Sequence, residues 1–106
     1  MKAIDVTDAN FKEIVLNSGK PVLVDFGAEW CPTCKAIEPV IERIAEGLEG
    51  SAIIAKLDVD SNPESTAKYG VRNLPTFLLF KGGKLVDRVV GAAPKSILEQ
   101  KVTSSL

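Results

Sequence analysis

The sequence predicts an α/β fold, with a mixed sheet of about five strands and about four helices on both of its faces. Two observations carry this prediction. Strand-like and helix-like stretches alternate along the 106 residues, and the early strand–helix–strand units favour parallel pairing. Later, two apolar runs flank Lys81-Gly82-Gly83-Lys84, and a two-glycine loop in that position predicts an antiparallel hairpin. A chain of this length is expected to form one domain over residues 1–106.

The first elements are short. Ala3–Val6 is expected to form an edge strand, and Thr7 or Asp8 can cap a helix that runs to about Ser18. Pro21–Phe26 is β-branched and apolar on both sides, which predicts a central strand covered on both faces.

A long helix is expected to begin at Cys31-Pro32-Thr33-Cys34, and Pro39 inside it is expected to kink it. Its buried stripe has helical spacing and consists of Ile37, Val40, Ile41, Ile44 and Leu48. Its solvent face is expected to consist of Glu38, Glu42, Arg43, Glu46 and Glu49. Ala52–Val59 is expected to form a second central strand. Asn62 then predicts the cap of a short helix, with Pro63 at its first position. The last elements are two hairpin strands and a final helix, at Thr76–Phe80, Leu85–Val90 and around Ile97–Val102.

Composition excludes several function classes. Thirteen basic residues against 14 acidic ones give a net charge of −1, which lacks the basic excess expected of a nucleic-acid-binding protein. No apolar run approaches the ~20 residues that cross a membrane. Histidine is absent, so catalytic triads and metal sites that need histidine are excluded. The first ten residues lack the apolar stretch of a secretory signal, so we expect a cytoplasmic protein, in a compartment that keeps thiols reduced.

The two cysteines are the most informative residues. Cys31 and Cys34 have the spacing that lets a disulfide close and reopen on the first turn of a helix. The positive end of the helix dipole favours a thiolate at Cys31, the attacking form, at the exposed end of the pair. We therefore expect Cys31 to be the nucleophile and Cys34, one turn further in, to be the resolving thiol. The alternatives are a metal site, which would need four ligands where the chain offers two sulfurs, and a pair of inert core cysteines.

The chain resembles the thioredoxin family over essentially its whole length. Several separate motifs carry the resemblance in the right order, namely Val24-Asp25-Phe26, Ala28-Glu29-Trp30-Cys31, Lys35, Pro39, Val71-Arg72, Asn73-Leu74-Pro75-Thr76-Phe77 and Gly91-Ala92. The resemblance implies a thioredoxin fold and a protein-disulfide reductase that needs no cofactor or metal. It also implies a monomer that a thioredoxin reductase or an equivalent enzyme recharges, that acts on disulfide-containing proteins, and that maintains the redox balance of the cell.

Two charged residues in the expected central strands support this chemistry. Asp25 interrupts an apolar strand, and a buried carboxyl without a partner is costly. With the support of the resemblance, we expect it to lie below the cysteines with a raised pKa and to relay a proton to or from Cys34 through water. Lys56 reads equally well as an ordinary lysine at a strand end, and the resemblance places it near that aspartate.

The resemblance also implies a groove for an extended substrate strand. A cis bond before Pro75, which the bare frequency of such bonds would not predict, is expected beside the cysteines. The groove would include the side chains and turns at Trp30, Pro32, Leu74, Pro75, Thr76, Gly91 and Ala92. Trp30 alone could equally be a core residue.

Two departures from the family concern the site itself. The dipeptide between the cysteines is Pro32-Thr33, where the family commonly has Gly-Pro. With Cys31 as the N-cap of the helix, Pro32 takes the first helical position, where its missing N–H costs nothing. Thr33 then adds an amide donor for the Cys31 thiolate and is expected to raise the redox potential. Gly27 replaces a frequent aromatic residue, which either loosens the floor of the site or opens a groove for a different partner. The alternative functions are a disulfide oxidase or isomerase of raised potential, and a binding subunit in which redox turnover is incidental.

Overall fold

The computed structural model describes residues 3–106 and contains five strands, a π-helical segment and three α-helices. Their order is β1 (Ile4–Asp5), the π-helical segment (Lys12–Leu16), β2 (Val22–Gly27), α1 (Pro32–Gly47), β3 (Ile53–Asp58), α2 (Pro63–Lys68), β4 (Thr76–Lys81), β5 (Lys84–Val90) and α3 (Lys95–Thr103). This order confirms the α/β prediction.

The sheet is mixed, with strand order β1-β3-β2-β4-β5. The strands β1, β3 and β2 run parallel, whereas β4 is antiparallel to both β2 and β5. Gly82 and Gly83 have φ values of 59° and 79° in the β4–β5 turn, where residues with a side chain would be strained. Parallel β2 and β3 end at the same edge of the sheet, and the cysteines follow there at the start of α1.

Apolar side chains cover both faces of the sheet. On one face, α1 and α3 pack against residues such as Leu23, Ile54 and Phe77. On the other face, the π-helical segment packs against Val24, Phe26 and their neighbours. Because side chains alternate along a strand, Asp25 lies on the same face as Leu23 and therefore points towards α1. The fold thus turns one carboxyl from the sheet towards the helix that carries the cysteines.

The first helix is shorter than expected. The sequence predicts it from Thr7 or Asp8 to about Ser18, but the segment covers Lys12–Leu16 and closes with a bond from the Asn17 N–H to the Lys12 carbonyl. Its N-cap residue is Phe11, which makes no side-chain cap hydrogen bond, so the predicted cap at Thr7 or Asp8 is wrong. Thr7 instead closes the preceding turn, because its hydroxyl accepts from the Asn10 N–H while the Asn10 side chain accepts from the Thr7 N–H.

The cap of α2 also differs from the prediction. Asn62 stands at the cap position, but its side chain bonds to the Asp8 N–H and the Asp58 carbonyl instead. The carboxylate of Asp8 accepts from the N–H groups of Glu64 and Ser65. A residue 56 positions before Glu64 therefore caps this helix, which local sequence rules cannot predict.

Candidate active site

The two cysteines lie at the N-terminus of α1 and form a disulfide, with their Cα atoms 5.2 Å apart. Cys31 is the N-cap residue and Pro32 follows at the first helical position, as the sequence predicts. The Cys31 sulfur accepts a hydrogen bond from the Cys34 N–H at 3.2 Å. The helix therefore directs an amide donor and the positive end of its dipole at this sulfur.

Both cysteines are buried almost equally, with 6% of Cys31 and 5% of Cys34 exposed. The expectation that Cys31 is the exposed member of the pair is therefore wrong in the disulfide state. Ala28, Val59 and Leu74 pack around the two sulfur-bearing residues and remove Cys31 from solvent. Pro32 and Thr33, by contrast, are exposed.

Asp25 is the buried acid of the site. Only 5% of the residue is exposed, and its Oδ1 atom has no hydrogen-bond partner within the described part of the chain. Burial, reinforced by the charge of Glu38 and opposed by that of Lys56, raises the pKa of Asp25 from 3.8 to about 7. A carboxyl with this pKa can exchange a proton near neutral pH.

Lys56 lies beside Asp25, because the two residues are register partners in β3 and β2. Asp5 is the partner of Lys56 on its other side, so three charged residues form a row across three strands. The Lys56 ammonium lies 3.4 Å from the Glu42 carboxylate of α1. Glu42, which the helical pattern placed on the solvent face, is thus partly covered.

A cavity of about 170 Å³ opens on the Cys34 side of the disulfide. We call it the rear cleft and define it by Asp5, Asp25, Gly27, Cys34, Glu38 and Lys56. Glu29 and Asp58 also line it, so that its walls are predominantly acidic.

A second cavity, of about 330 Å³, opens on the Cys31 side. We call it the front groove and define it by Trp30, Cys31, Val59, Val71, Arg72 and Leu74. Trp30 is 67% exposed, and its indole N–H donates to the Asp60 carboxylate at 2.7 Å, so it is not a core residue. The tryptophan forms one wall of the groove beside the nucleophile candidate.

Of the other residues expected in the groove, Leu74 lines it and the rest lie outside its lining. The Leu74–Pro75 peptide bond is cis, as the resemblance implied, and Pro75 is buried. The Gly91 N–H donates to the Pro75 carbonyl at 2.7 Å, which holds the turn of Gly91 and Ala92 against this segment. Thr76 is 1% exposed, and its hydroxyl donates to the carbonyl of Asn73. Of the expected set, Trp30 and Leu74 line the front groove together with Cys31, whereas Pro32, Pro75, Thr76, Gly91 and Ala92 do not.

Sequence reasoning missed the acidic walls of the rear cleft. The helical pattern predicts Glu38 on the solvent face of α1, but this residue follows Cys34 by four positions and therefore lies on the same side of the helix. That spacing was available as a signal. The positions of Asp5 and Asp58 depend on strand register across the sheet, for which the sequence offers no local signal.

The site contains sulfur and carboxyl groups as its reactive groups. Within residues 3–106, no three His, Cys, Asp or Glu side chains are arranged to hold a metal ion. No helix in that range has the length and apolar character that a membrane crossing requires. A disulfide at a helix N-terminus, in a fold of this topology and beside a groove, defines a thiol–disulfide oxidoreductase.

Comparison with known proteins agrees with this class. The thioredoxin family model matches residues 2–104. A thioredoxin of Chlorobaculum thiosulfatiphilum is 52% identical over 101 residues, which cover 95% of this chain and 94% of the relative. Thioredoxin 1 of a Nostoc species is 47% identical over 104 residues, covering 98% and 97% of the two chains. The chain therefore belongs to the thioredoxin family, and it is a protein-disulfide reductase.

A further relative joins two activities in one polypeptide. The bifunctional thioredoxin reductase/thioredoxin of Mycobacterium leprae is 52% identical over 95 residues, which cover 90% of this chain and 21% of that protein.

Proposed function

We propose that Cys31 is the nucleophile, Cys34 the resolving thiol and Asp25 the group that accepts the proton of Cys34. The placement of the pair carries this proposal, because the Cys31 sulfur receives the helix amide and lines the front groove, whereas Cys34 lines the rear cleft with Asp25. Each sulfur thus has the surroundings that its role needs.

The reaction has two exchanges. The Cys31 thiolate attacks one sulfur of a substrate disulfide, and the substrate S–S bond breaks. One substrate sulfur departs as a thiolate, and the other is joined to Cys31 in a mixed disulfide. Cys34 then loses its proton to the Asp25 carboxylate and attacks the Cys31 sulfur. The mixed disulfide breaks, the second substrate thiolate leaves, and the Cys31–Cys34 disulfide forms. The substrate gains two electrons, and the dithiol loses them.

The front groove is the proposed binding site for the substrate strand. Its walls are the exposed ring of Trp30, the side chain of Leu74 and the apolar Val59 and Val71. Pro75, Thr76, Gly91 and Ala92 would flank the strand, with Pro32 at the helix end. Lys56 would tune the proton affinity of Asp25 from the far side of the carboxyl.

The oxidised protein then needs a reductant. We propose that a thioredoxin reductase or an equivalent enzyme, linked to NADPH or ferredoxin, supplies the electrons. The fusion of reductase and thioredoxin in the Mycobacterium leprae relative supports such a pairing. We further propose that the protein acts in the cytoplasm as a monomer of one domain, with protein disulfides as its substrates and cell redox balance as its role.

Single-serine variants test the assignment of roles. With insulin as a disulfide substrate, Cys34→Ser is expected to accumulate a mixed disulfide through Cys31, because the resolving thiol is missing. Cys31→Ser is the matched control and is expected to trap no insulin. Mass spectrometry before and after reduction measures the adduct. Trapping by Cys31→Ser but not by Cys34→Ser would show that the two roles are reversed.

A further inference from the structure

The two sulfurs of the disulfide line different cavities. Cys31 lines the front groove, whereas Cys34 lines the rear cleft on the side of Asp25. The rear cleft has a volume of about 170 Å³, about half that of the front groove at about 330 Å³, so the space in front of Cys34 suits a small molecule rather than a protein strand. The resolving cysteine therefore has its own opening, which the reduction of protein disulfides does not use for substrate.

Gly27 keeps this opening clear. A Cβ atom at this position would lie 3.4 Å from both the Cβ and the Sγ atoms of Cys34, and 3.9 Å from Oδ1 of Asp25. Gly27 is not among the glycines with positive φ, so the backbone does not require glycine there. What the glycine provides is space, and a larger side chain would fill the cleft in front of Cys34.

The charge of the rear cleft favours small molecules of one sign of charge over the other. Five carboxyl groups line it against the single ammonium of Lys56, and they belong to Asp5, Asp25, Glu29, Glu38 and Asp58. The Lys35 ammonium lies 2.7 Å from the Glu29 carboxylate and partly neutralises its charge. The Lys56 ammonium is paired with the Glu42 carboxylate at 3.4 Å. Asp25, 5% exposed, directs an oxygen without a partner among the described residues into this space. A cleft lined mainly by carboxylates attracts small cations and repels anions.

We propose that the rear cleft is a second entrance to the redox centre, through which small neutral or cationic disulfides reach Cys34 of the reduced protein directly. Cys34 loses its proton to water and its thiolate attacks one sulfur of the small disulfide, whose S–S bond breaks, and one small thiolate leaves and takes a proton from water. The Cys31 thiolate then attacks the Cys34 sulfur and displaces the second small thiolate, which also takes a proton from water. One small disulfide becomes two thiols, and the dithiol becomes the Cys31–Cys34 disulfide.

The test uses the full chain with Cys31→Ser, which leaves Cys34 as the sole cysteine. Three methanethiosulfonates of similar size, bearing an ethylammonium, a neutral alkyl or an ethylsulfonate group, are added to the folded protein at low salt. Mass spectrometry follows the adduct on Cys34, and the same reagents on the urea-unfolded variant correct for intrinsic reactivity. After that correction, the cationic reagent is expected to exceed the anionic one by about tenfold or more. Raising the salt concentration should reduce this ratio.

Two further substitutions in the Cys31→Ser background locate the entrance. Gly27→Val is expected to slow all three reagents, by about tenfold for the neutral one, because a branched side chain fills the space in front of the sulfur. Gly19→Val is the matched control, because a Cβ atom there meets nothing within 4 Å. Glu38→Gln changes no packing volume and is expected to lower the cation-to-anion ratio.

The outcomes decide the proposal separately from the roles of the cysteines in protein reduction. Equal rates for the three reagents, unchanged by Gly27→Val, would mean that Cys34 reacts only after unfolding, and would overturn the second entrance. If Gly27→Val does not fold, the ratio of the cationic to the anionic reaction rate is compared with and without Glu38→Gln. A ratio that Glu38→Gln does not change contradicts entry through the rear cleft. The insulin trapping experiment depends on Cys31 and can succeed or fail independently.

Discussion

The front groove and the rear cleft adjoin different cysteines of one disulfide, and they differ in volume and in polarity. The groove has the larger volume and a mostly apolar lining, with the exposed ring of Trp30 at its wall. The cleft is smaller and predominantly acidic, and it leads to a carboxyl that burial holds largely in its neutral form up to about neutral pH. The contrast supports the proposed roles in protein reduction, in which Cys31 contacts the substrate and Cys34 exchanges a proton with Asp25.

The two regions also differ in what they contribute to stability. Apolar walls add buried hydrocarbon to the fold, whereas Asp25 removes a carboxyl from water without a hydrogen bond to Oδ1. The rear side of the site therefore carries a cost in folding free energy that the front side does not carry. That cost depends on pH, and it can be measured.

The largest expected effect is on the free energy of unfolding. The pKa of Asp25 is raised from 3.8 to about 7 in the folded protein, so the folded state binds the proton more tightly than the unfolded state. The contribution of this group to stability is therefore greatest below about pH 4 and falls as the pH rises to about 7, after which it stays low. At about 1.4 kcal/mol per pKa unit, the fall amounts to at most about 4 kcal/mol.

Urea unfolding of the parent and of Asp25→Asn checks this sign. The variant should gain stability relative to the parent between about pH 4 and about pH 8, since it lacks the group whose ionisation opposes folding. The difference between the two proteins is the measured quantity, which cancels the titration of other groups. A constant difference across this range would mean that the Asp25 carboxyl titrates as it does in the unfolded chain, and the contrast between the two sides would lose its electrostatic basis.

Sequence reasoning predicted the fold and the reactive pair better than it predicted their surroundings. The strands, the start of α1 and the cap position of Cys31 follow from local patterns, because periodicity and capping are properties of neighbouring residues. The burial of Asp25 is predicted because a central strand is covered on both faces, so that its side chains do not reach solvent. These features need no knowledge of which strands are adjacent.

The features that were missed depend on long-range placement. Asp8 caps a helix that begins 55 residues later, and Asp5 reaches the rear cleft through strand register. The burial of Cys31 depends on Leu74, which belongs to the loop before β4. The effect of Gly27 was left open between a looser floor and a groove, and the space in front of Cys34 shows on which side the opening lies. No rule based on nearest neighbours contains this information.

A second prediction concerns the Cys31 sulfur, which lines the front groove. Cys31 caps α1 with Pro32 at the first helical position, and in the disulfide state its sulfur accepts from the Cys34 N–H. Thr33 carries an N–H that a proline in its place would lack, and we expect it to donate to the Cys31 thiolate once the disulfide is reduced. In the double variant Pro32→Gly, Thr33→Pro, loss of this donor should raise the pKa of the Cys31 thiol. It should also make the redox potential more negative by roughly 30–60 mV.

Equilibration with glutathione buffers measures the potential, and the ultraviolet absorbance of the thiolate measures the titration. Thr33→Ala is the matched control, because it keeps the N–H group and loses only the hydroxyl. The double variant should differ from both the parent and the control. If all three proteins share one potential, the amide at position 33 does not stabilise the Cys31 thiolate.

The smallest expected effect is on the pKa of Asp25, when the opposite charges of Glu38 and Lys56 in the rear cleft are removed one at a time. Asp25 lines the rear cleft with Glu38 from α1, Lys56 from β3 and Asp5 from β1, and Lys56 is paired with Glu42. The charge of Glu38 raises the pKa of Asp25, and that of Lys56 lowers it. Glu38→Gln should therefore lower the pKa of Asp25, and Lys56→Gln should raise it. Each change should be less than about one pKa unit, because both side chains are partly exposed to screening solvent.

Carbon NMR of the Asp25 carboxyl follows the titration directly in the oxidised protein, where neither cysteine titrates. Glu46→Gln is the matched control, because it removes the same charge from an exposed position about two turns further along α1. Shifts of opposite sign for the two cleft variants, with none for the control, would show that the charges of the rear cleft set the proton affinity of the site. Shifts of the same sign would mean that both substitutions act by altering the packing around Asp25, and that its burial alone determines the pKa.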